Sequence, residues 1–218
     1  MLPPYLIPPS LAELSRYDSV VSGVLRAMHC EKNDQMSSNT YIAPSLLQYD
    51  NHAVILIDQQ YLQLLAMRSR GATLVTNAMA LLAKGARLFR VKTLLTTAFA
   101  ERQALIKEVQ AVFPEQTPID RTTLNAFEDQ RVVAWAANTG LKKLVLAGLW
   151  TESCLAMSAL SAISAGSQVY IITDASGGGS KESYDMAVLR MVQAGATPLT
   201  AGTWNSSATG LGRLRRSR

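Results

Sequence analysis

From Asn51 onward, short aliphatic or β-branched runs alternate with longer stretches whose apolar positions recur at helical spacing. The short runs predict strands at Ala53–Asp58, Lys92–Thr97, a brief one near Thr117–Asp120, Leu144–Gly148, Gln168–Asp174 and Thr197–Thr200. The periodic stretches predict helices at about Ala72–Ala86, Arg102–Phe113, Phe127–Thr139, Cys154–Ala165 and Lys181–Ala194. Gly85, Gly140, Gly166 and Gly195 stand at the predicted helix ends, where glycine tolerates the left-handed backbone that stops a helix. Strand–helix alternation with nearly continuous apolar strands predicts an α/β protein. Its expected form is a three-layer α/β/α sandwich around a doubly wound, mostly parallel sheet of about six strands.

The first 50 residues break this pattern. They hold Pro3, Pro4, Pro8, Pro9 and Pro44, one candidate amphipathic helix at Leu11–Ala27, and a polar break, EKNDQMSSNT, at Glu31–Thr40. Residues 1–40 therefore read as an N-terminal extension, either disordered or foreign to a native chain that starts at Met36. An arm used in oligomer contacts is the competing reading. Residues 41–204 form the expected domain, and 205–218 a basic C-terminal tail.

Composition narrows the class. The 218 residues, 48% of them hydrophobic, can enclose one substantial core. No apolar run approaches the roughly 20 residues a membrane span needs, and MLPPYLIPPS lacks the basic start of a secretory signal. A cytoplasmic protein is expected. Two cysteines, Cys30 and Cys154, make a disulfide framework unexpected. Of the net charge of +5, four units lie in the terminal RLRRSR, so the body is close to neutral and no nucleic-acid partner is expected.

In parallel sheets, ligands bind beyond the carboxyl ends of the strands, near the point where strand order reverses. The polar residues that follow the predicted strands are Asp58 and Gln60, Arg121 and Asn125, Thr151 to Cys154, and Asp174. The stretch LVLAGLWTESC, Leu144–Cys154, is the most telling: an apolar strand, a glycine, a short polar turn, then a cysteine opening a helix. A helix N-terminus would favour the thiolate. If the first and fourth strands are neighbours at the switch point, Asp58 and Cys154 meet.

This set resembles the isochorismatase-like cysteine hydrolases, and most of all their YcaC-like branch. The matching motifs are AVILIDQQ (Ala53–Gln60), RTTLNAF (Arg121–Phe127), AGLWTESC (Ala147–Cys154) and TDAS (Thr173–Ser176), in the family's order. The resemblance implies Cys154 as nucleophile and Asp58 as the base that takes its proton. It puts Arg121 where most members carry lysine; arginine stays protonated, so its part is electrostatic. It further implies a cis peptide at Leu149–Trp150, an oxyanion hole built from the backbone N–H groups of Trp150 and Cys154, and substrate contacts from Gln60, Asn125, Trp150 and Thr151. The implied reaction is hydrolysis of a small amide or related C–N bond through a thioester, by a homo-oligomer that needs no cofactor.

Departures from the family shape this expectation. Nicotinamidases use an Asp/His/His metal site, whereas this chain has only His29 and His52, so no metal is expected. The bulky Trp150 would wall the pocket. Two other readings stay open: a catalytically idle oligomeric relative acting as scaffold or ligand-binding protein, and a nucleotide-binding α/β protein using the Gly-rich turn ASGGGSKES (Ala175–Ser183). Each site residue also has a plain structural reading, Cys154 as a small core filler and Asp58 as a loop cap among them.

Overall fold

The computed structural model describes residues 45–208. The N-terminal extension, the candidate helix Leu11–Ala27, Cys30, His29 and the arginine-rich end lie outside the described residues. Six parallel strands form one sheet: β1 (His52–Ile57), β2 (Lys92–Ala98), β3 (Ile119–Arg121), β4 (Lys143–Gly148), β5 (Gln168–Ile172) and β6 (Thr197–Leu199). The spatial order β3-β2-β1-β4-β5-β6 is doubly wound and reverses between β1 and β4, where Ile57 lies beside Gly148. Pro198, which has no N–H to give a ladder, sits in the edge strand β6.

The helices are α1 (Tyr61–Ala66), α2 (Ala72–Leu88), α3 (Lys107–Gln110), α4 (Gln130–Asn138), α5 (Ala156–Ser164), α6 (Lys181–Gln193) and α7 (Ala201–Ala208). Alternate residues of β1 explain why its whole length is apolar. Val54 and Leu56 join one core with Met79, Leu82, Ile106 and Trp204, while Ala53, Ile55 and Ile57 join the other with Val132, Ala159 and Met191. Both faces of the sheet are thus covered by helices, and the chain has the three-layer fold its periodicity predicts.

Four local differences from the sequence reading have physical causes. The predicted helix Arg102–Phe113 shrinks to the single turn α3. Residues ahead of it are drawn into extended pairing with the end of β1, through a Gln60–Leu105 bridge and an Ile106 N–H···O=C Gln59 bond of 2.9 Å. The helix expected from Phe127 starts at Gln130, because Asn125 and Asp129 each accept a backbone N–H and split the segment into a short 3-10 turn and a helix. Gly85 does not end α2. It lies inside the helix, where an added Cβ would meet Asn205 Oδ1 at 2.5 Å and the Trp204 ring at 2.9 Å, so it lets α7 approach. Gly140, Gly166 and Gly195 do take positive φ. Finally, α7 carries helical structure past 204, into the stretch read as tail.

The α7 anchor is His52. Its Nδ1 donates to the Gln48 carbonyl (2.6 Å), its Nε2 accepts from Trp204 Nε1 (3.0 Å), and the two rings meet edge to face. Burial pushes this imidazole down to about 4, so it is neutral. His52 opens β1, at the opposite end of the strand from Asp58.

Candidate active site

Asp58 is the first residue after β1, Arg121 the last of β3, and Cys154 the fourth residue of a wide π-helical turn, Thr151–Leu155, that follows β4. The strand order brings all three to one edge of the sheet. Three non-glycine residues there adopt left-handed backbone: Asp58 (φ 52°) after β1, Phe99 (φ 55°) after β2 and Trp150 (φ 52°) after β4. Such conformations cost of the order of 1–3 kcal/mol and gather where side chains must be aimed. The Leu149–Trp150 peptide is trans, contrary to the cis bond expected from the sequence. The chain reverses instead by the single left-handed residue Trp150, which sends it directly into the π turn.

Arg121 reaches across β2 to Asp58. Ala98 of β2 is its partner in the β2–β3 ladder. Arg121 Nη2 donates to Asp58 Oδ2 at 2.5 Å, and both side chains are essentially sealed from solvent. Arg121 Nη1 donates to the carbonyls of Thr123 and Leu124, which folds the loop after β3 around the guanidinium. Asp58 Oδ1 has no conventional partner among the described atoms. Burial, the largest influence, raises the Asp58 carboxyl, while the charge of Arg121 and then the Cys154 thiol pull it back down.

The thiol is 1% exposed. Burial, then the charge of Asp58 and a hydrogen bond to it, push Cys154 up to about 12; Arg121 and Ser153 pull weakly the other way. The thiolate favoured by a helix N-terminus is therefore not the resting state. Desolvation and a carboxylate in contact outweigh the partial charge of a helix end. The proton rests on sulfur, and moving it to Asp58 would leave the trio neutral overall, since Arg121 balances either anion.

The other expected site residues divide. Trp150, 38% exposed, stands on the rim. Thr151 is buried; its N–H bonds to the Gly177 carbonyl (3.1 Å). Gln60 is fully buried and donates to the carbonyls of Ala98 (3.2 Å) and Gln103 (2.8 Å) while accepting the Ala98 N–H (2.9 Å). Through these bonds its amide clamps the end of β1 to β2. Asn125 likewise caps the turn at Phe127 and donates to Ser161 Oγ (2.9 Å), which makes it a fastener of the Arg121 loop. Asp174 accepts the Ala201 N–H and caps α7.

The Gly-rich turn has a use that sequence reasoning missed. It packs directly on the nucleophile turn: Leu149 bridges to Gly177, and the Gly179 N–H donates to Glu152 Oε1 (2.8 Å). The Gly178 N–H donates to Ser69 Oγ (2.9 Å). A Cβ at Gly177 would fall 1.9 Å from Met67 Sδ, and one at Gly178 would fall 2.3 Å from Glu152 Oε2. These glycines are required for space, since none of them takes positive φ. With its amides committed to Ser69 and Glu152, the turn does not offer the open cradle that phosphate binding needs. A run of glycines between two motifs was the available signal.

A model of the isochorismatase domain family matches residues 52–203. The chain belongs to the isochorismatase family. It is 36% identical over 157 residues to the probable hydrolase YcaC of Escherichia coli strain K12, covering 71% of this chain and 76% of that protein. Two solved YcaC structures share its fold. One, from Pseudomonas aeruginosa with hexane-2,5-diol and covalent acrylamide, superposes with a TM-score of 0.75 at 29% identity, over 80% of this chain and 89% of the other. The second, the octameric E. coli hydrolase of unknown specificity, also gives 0.75, at 31% identity over 80% and 88%. This isochorismatase-family hydrolase therefore sits among YcaC-like proteins, with Asp58, Arg121 and Cys154 at the edge of the sheet described above.

Proposed function

We propose that the protein is a cysteine hydrolase that cleaves a small amide or related C–N bond. The observation that carries this reading is the buried Asp58–Arg121 pair set against a protonated Cys154 thiol at the switch point of the sheet. Asp58 takes the proton from Sγ as sulfur attacks the substrate carbonyl carbon. The carbonyl oxygen becomes an oxyanion, held by the backbone N–H groups of Trp150 and Cys154. The intermediate collapses to a thioester, the C–N bond breaks, and Asp58 returns its proton to the leaving amine. Water then attacks the thioester, again giving a proton to Asp58, and the acid leaves as sulfur is reprotonated. Arg121 keeps its charge throughout and steadies whichever of Asp58 and sulfur is the anion.

Covalent acrylamide in the Pseudomonas aeruginosa relative supports a reactive site in this fold, and the octameric E. coli relative supports a homo-oligomer. No helix among the described residues is long and apolar enough to cross a membrane; with an unpaired thiol at its centre, the protein is proposed to work in the cytoplasm. The test is a screen of small amides against wild type and Cys154→Ala, with mass spectrometry for an acyl adduct on Cys154. Turnover that Cys154→Ala abolishes is expected. The second reading, an idle relative that binds ligands or serves as scaffold, is favoured by the thiol's 1% exposure. It is supported if no amide acylates Cys154 and both proteins bind the same ligands.

A further inference from the structure

Ser158 lies one helical turn beyond Cys154 on α5 and is 0% exposed. Its hydroxyl donates to the Cys154 carbonyl (2.6 Å) and accepts the Ala126 N–H (2.9 Å). The first bond is the ordinary local back-bond of a helical serine. The second is not local. Ala126 ends the RTTLNA segment whose start, Arg121, holds Asp58, and whose Thr123 and Leu124 carbonyls grip the guanidinium. One hydroxyl therefore joins the backbone of the nucleophile to the loop that carries its electrostatic partner. It does so at the junction where the π turn gives way to α5, and such widened turns recur at functional sites. The same helix face holds the loop a second time, through Ser161 Oγ and Asn125, without touching Cys154.

We infer that Ser158 is a positioning residue: it sets the Cys154 backbone against the Arg121 loop and so fixes the contact between the thiol and Asp58. This rests on the cysteine-hydrolase reading for its catalytic consequence, but not for its effect on the thiol. Apolar replacement leaves the Ala126 N–H buried without an acceptor and frees the Cys154 carbonyl. The π turn can then shift relative to the loop, and the thiol changes its approach to Asp58.

The experiment compares Ser158→Ala, Ser158→Thr and Ser161→Ala in the full chain. The rate of Cys154 alkylation by iodoacetamide is followed in brief pH-jump exposures from pH 6 to 13, a range that spans the thiol's midpoint of about 12, alongside the melting temperature. Ser158→Ala is expected to move the midpoint of the rate–pH curve by about one unit. Ser158→Thr, which keeps the hydroxyl, restores it. Ser161→Ala lowers the melting temperature comparably and leaves the midpoint in place. With a substrate in hand, kcat falls about tenfold or more in Ser158→Ala while KM stays within about threefold, the pattern of an interaction used in the transition state. An unmoved midpoint in a folded Ser158→Ala protein overturns the proposal, as does an equal shift in Ser161→Ala. A wild-type midpoint that does not respond to Asp58→Asn overturns instead the Asp58–thiol pairing on which the hydrolase reading stands.

Discussion

Removing the Asp58 carboxylate should make Cys154 more reactive toward a simple alkylating reagent while destroying turnover. The thiol is held at about 12, against 9.0 for an open cysteine. That shift corresponds to about 4 kcal/mol between its two protonation states. At pH 8 the thiolate fraction is about a thousandfold below that of an open thiol, and the greater nucleophilicity of a more basic sulfur restores roughly 20- to 30-fold. Wild type should therefore react with iodoacetamide at least about 30-fold more slowly than a free thiol, the burial of sulfur slowing it further. In Asp58→Asn the charge and the hydrogen bond that raise the thiol are weakened, and Arg121 becomes an uncompensated cation whose nearest available anion is the thiolate. Burial, the largest influence, remains, so the midpoint falls by a unit or more without reaching that of an active-site thiolate. Each unit gives about a threefold gain in rate at pH 8, tenfold from ionisation less the loss of nucleophilicity. The assay is the pH dependence of carbamidomethylation at Cys154 by mass spectrometry, with folding checked by thermal melting. An Asp58→Asn protein that stays folded yet labels no faster, with an unmoved midpoint, refutes the claim that Asp58 holds the proton on sulfur.

Arg121→Met should cost about 3–5 kcal/mol in chemical denaturation, because Asp58 is left buried without its counter-charge; Arg121→Lys should recover part of it, and a fully stable Arg121→Met would contradict the pairing. His52 gives a pH signature. Its folded pKa of about 4 lies below the open value of 6.5, so the unfolded chain binds the extra proton between these values. Its contribution is complete above pH 6.5 and is lost as pH falls toward 4, amounting to about 3 kcal/mol. Denaturation midpoints across pH 4–7 should lose that slope in His52→Gln. Gly177→Ala should destabilise the protein by about 1–3 kcal/mol through its collision with Met67 and suppress Cys154 acylation, with Met67→Ala restoring stability in the double variant. Trp204→Ala should cost about 3–5 kcal/mol by emptying a fully buried site, and calorimetry should find it among the least stable variants.

Much of this was legible in the chain because it rests on local pattern. Short apolar runs such as His52–Ile57 and Leu144–Gly148, alternating with helical stretches, fit inner strands of a parallel sheet, and the polar residues that close them mark the edge where ligands bind in such sheets. Asp58 and Cys154 stand out as polar residues that follow apolar strands, while Arg121 and the roles of all three came from the resemblance of their motifs to the isochorismatase-like family. What tertiary structure decided was everything that depends on a partner distant in sequence. Residues 103–106 read as helix until Gln59 and Gln60 recruit them into extended pairing. Gly85 read as a helix end until α7 pressed against it. Gln60 and Asn125 follow their strands in sequence, but only the fold sets their amides against Ala98, Gln103 and Ser161. The protonation of Cys154 is the sharpest case. Its place after a strand and before a helix follows from sequence, and a helix terminus alone would favour the thiolate. Only the folded chain brings Asp58 against the sulfur and shuts out water, and these two effects of contact and desolvation, neither of them local, reverse the sign.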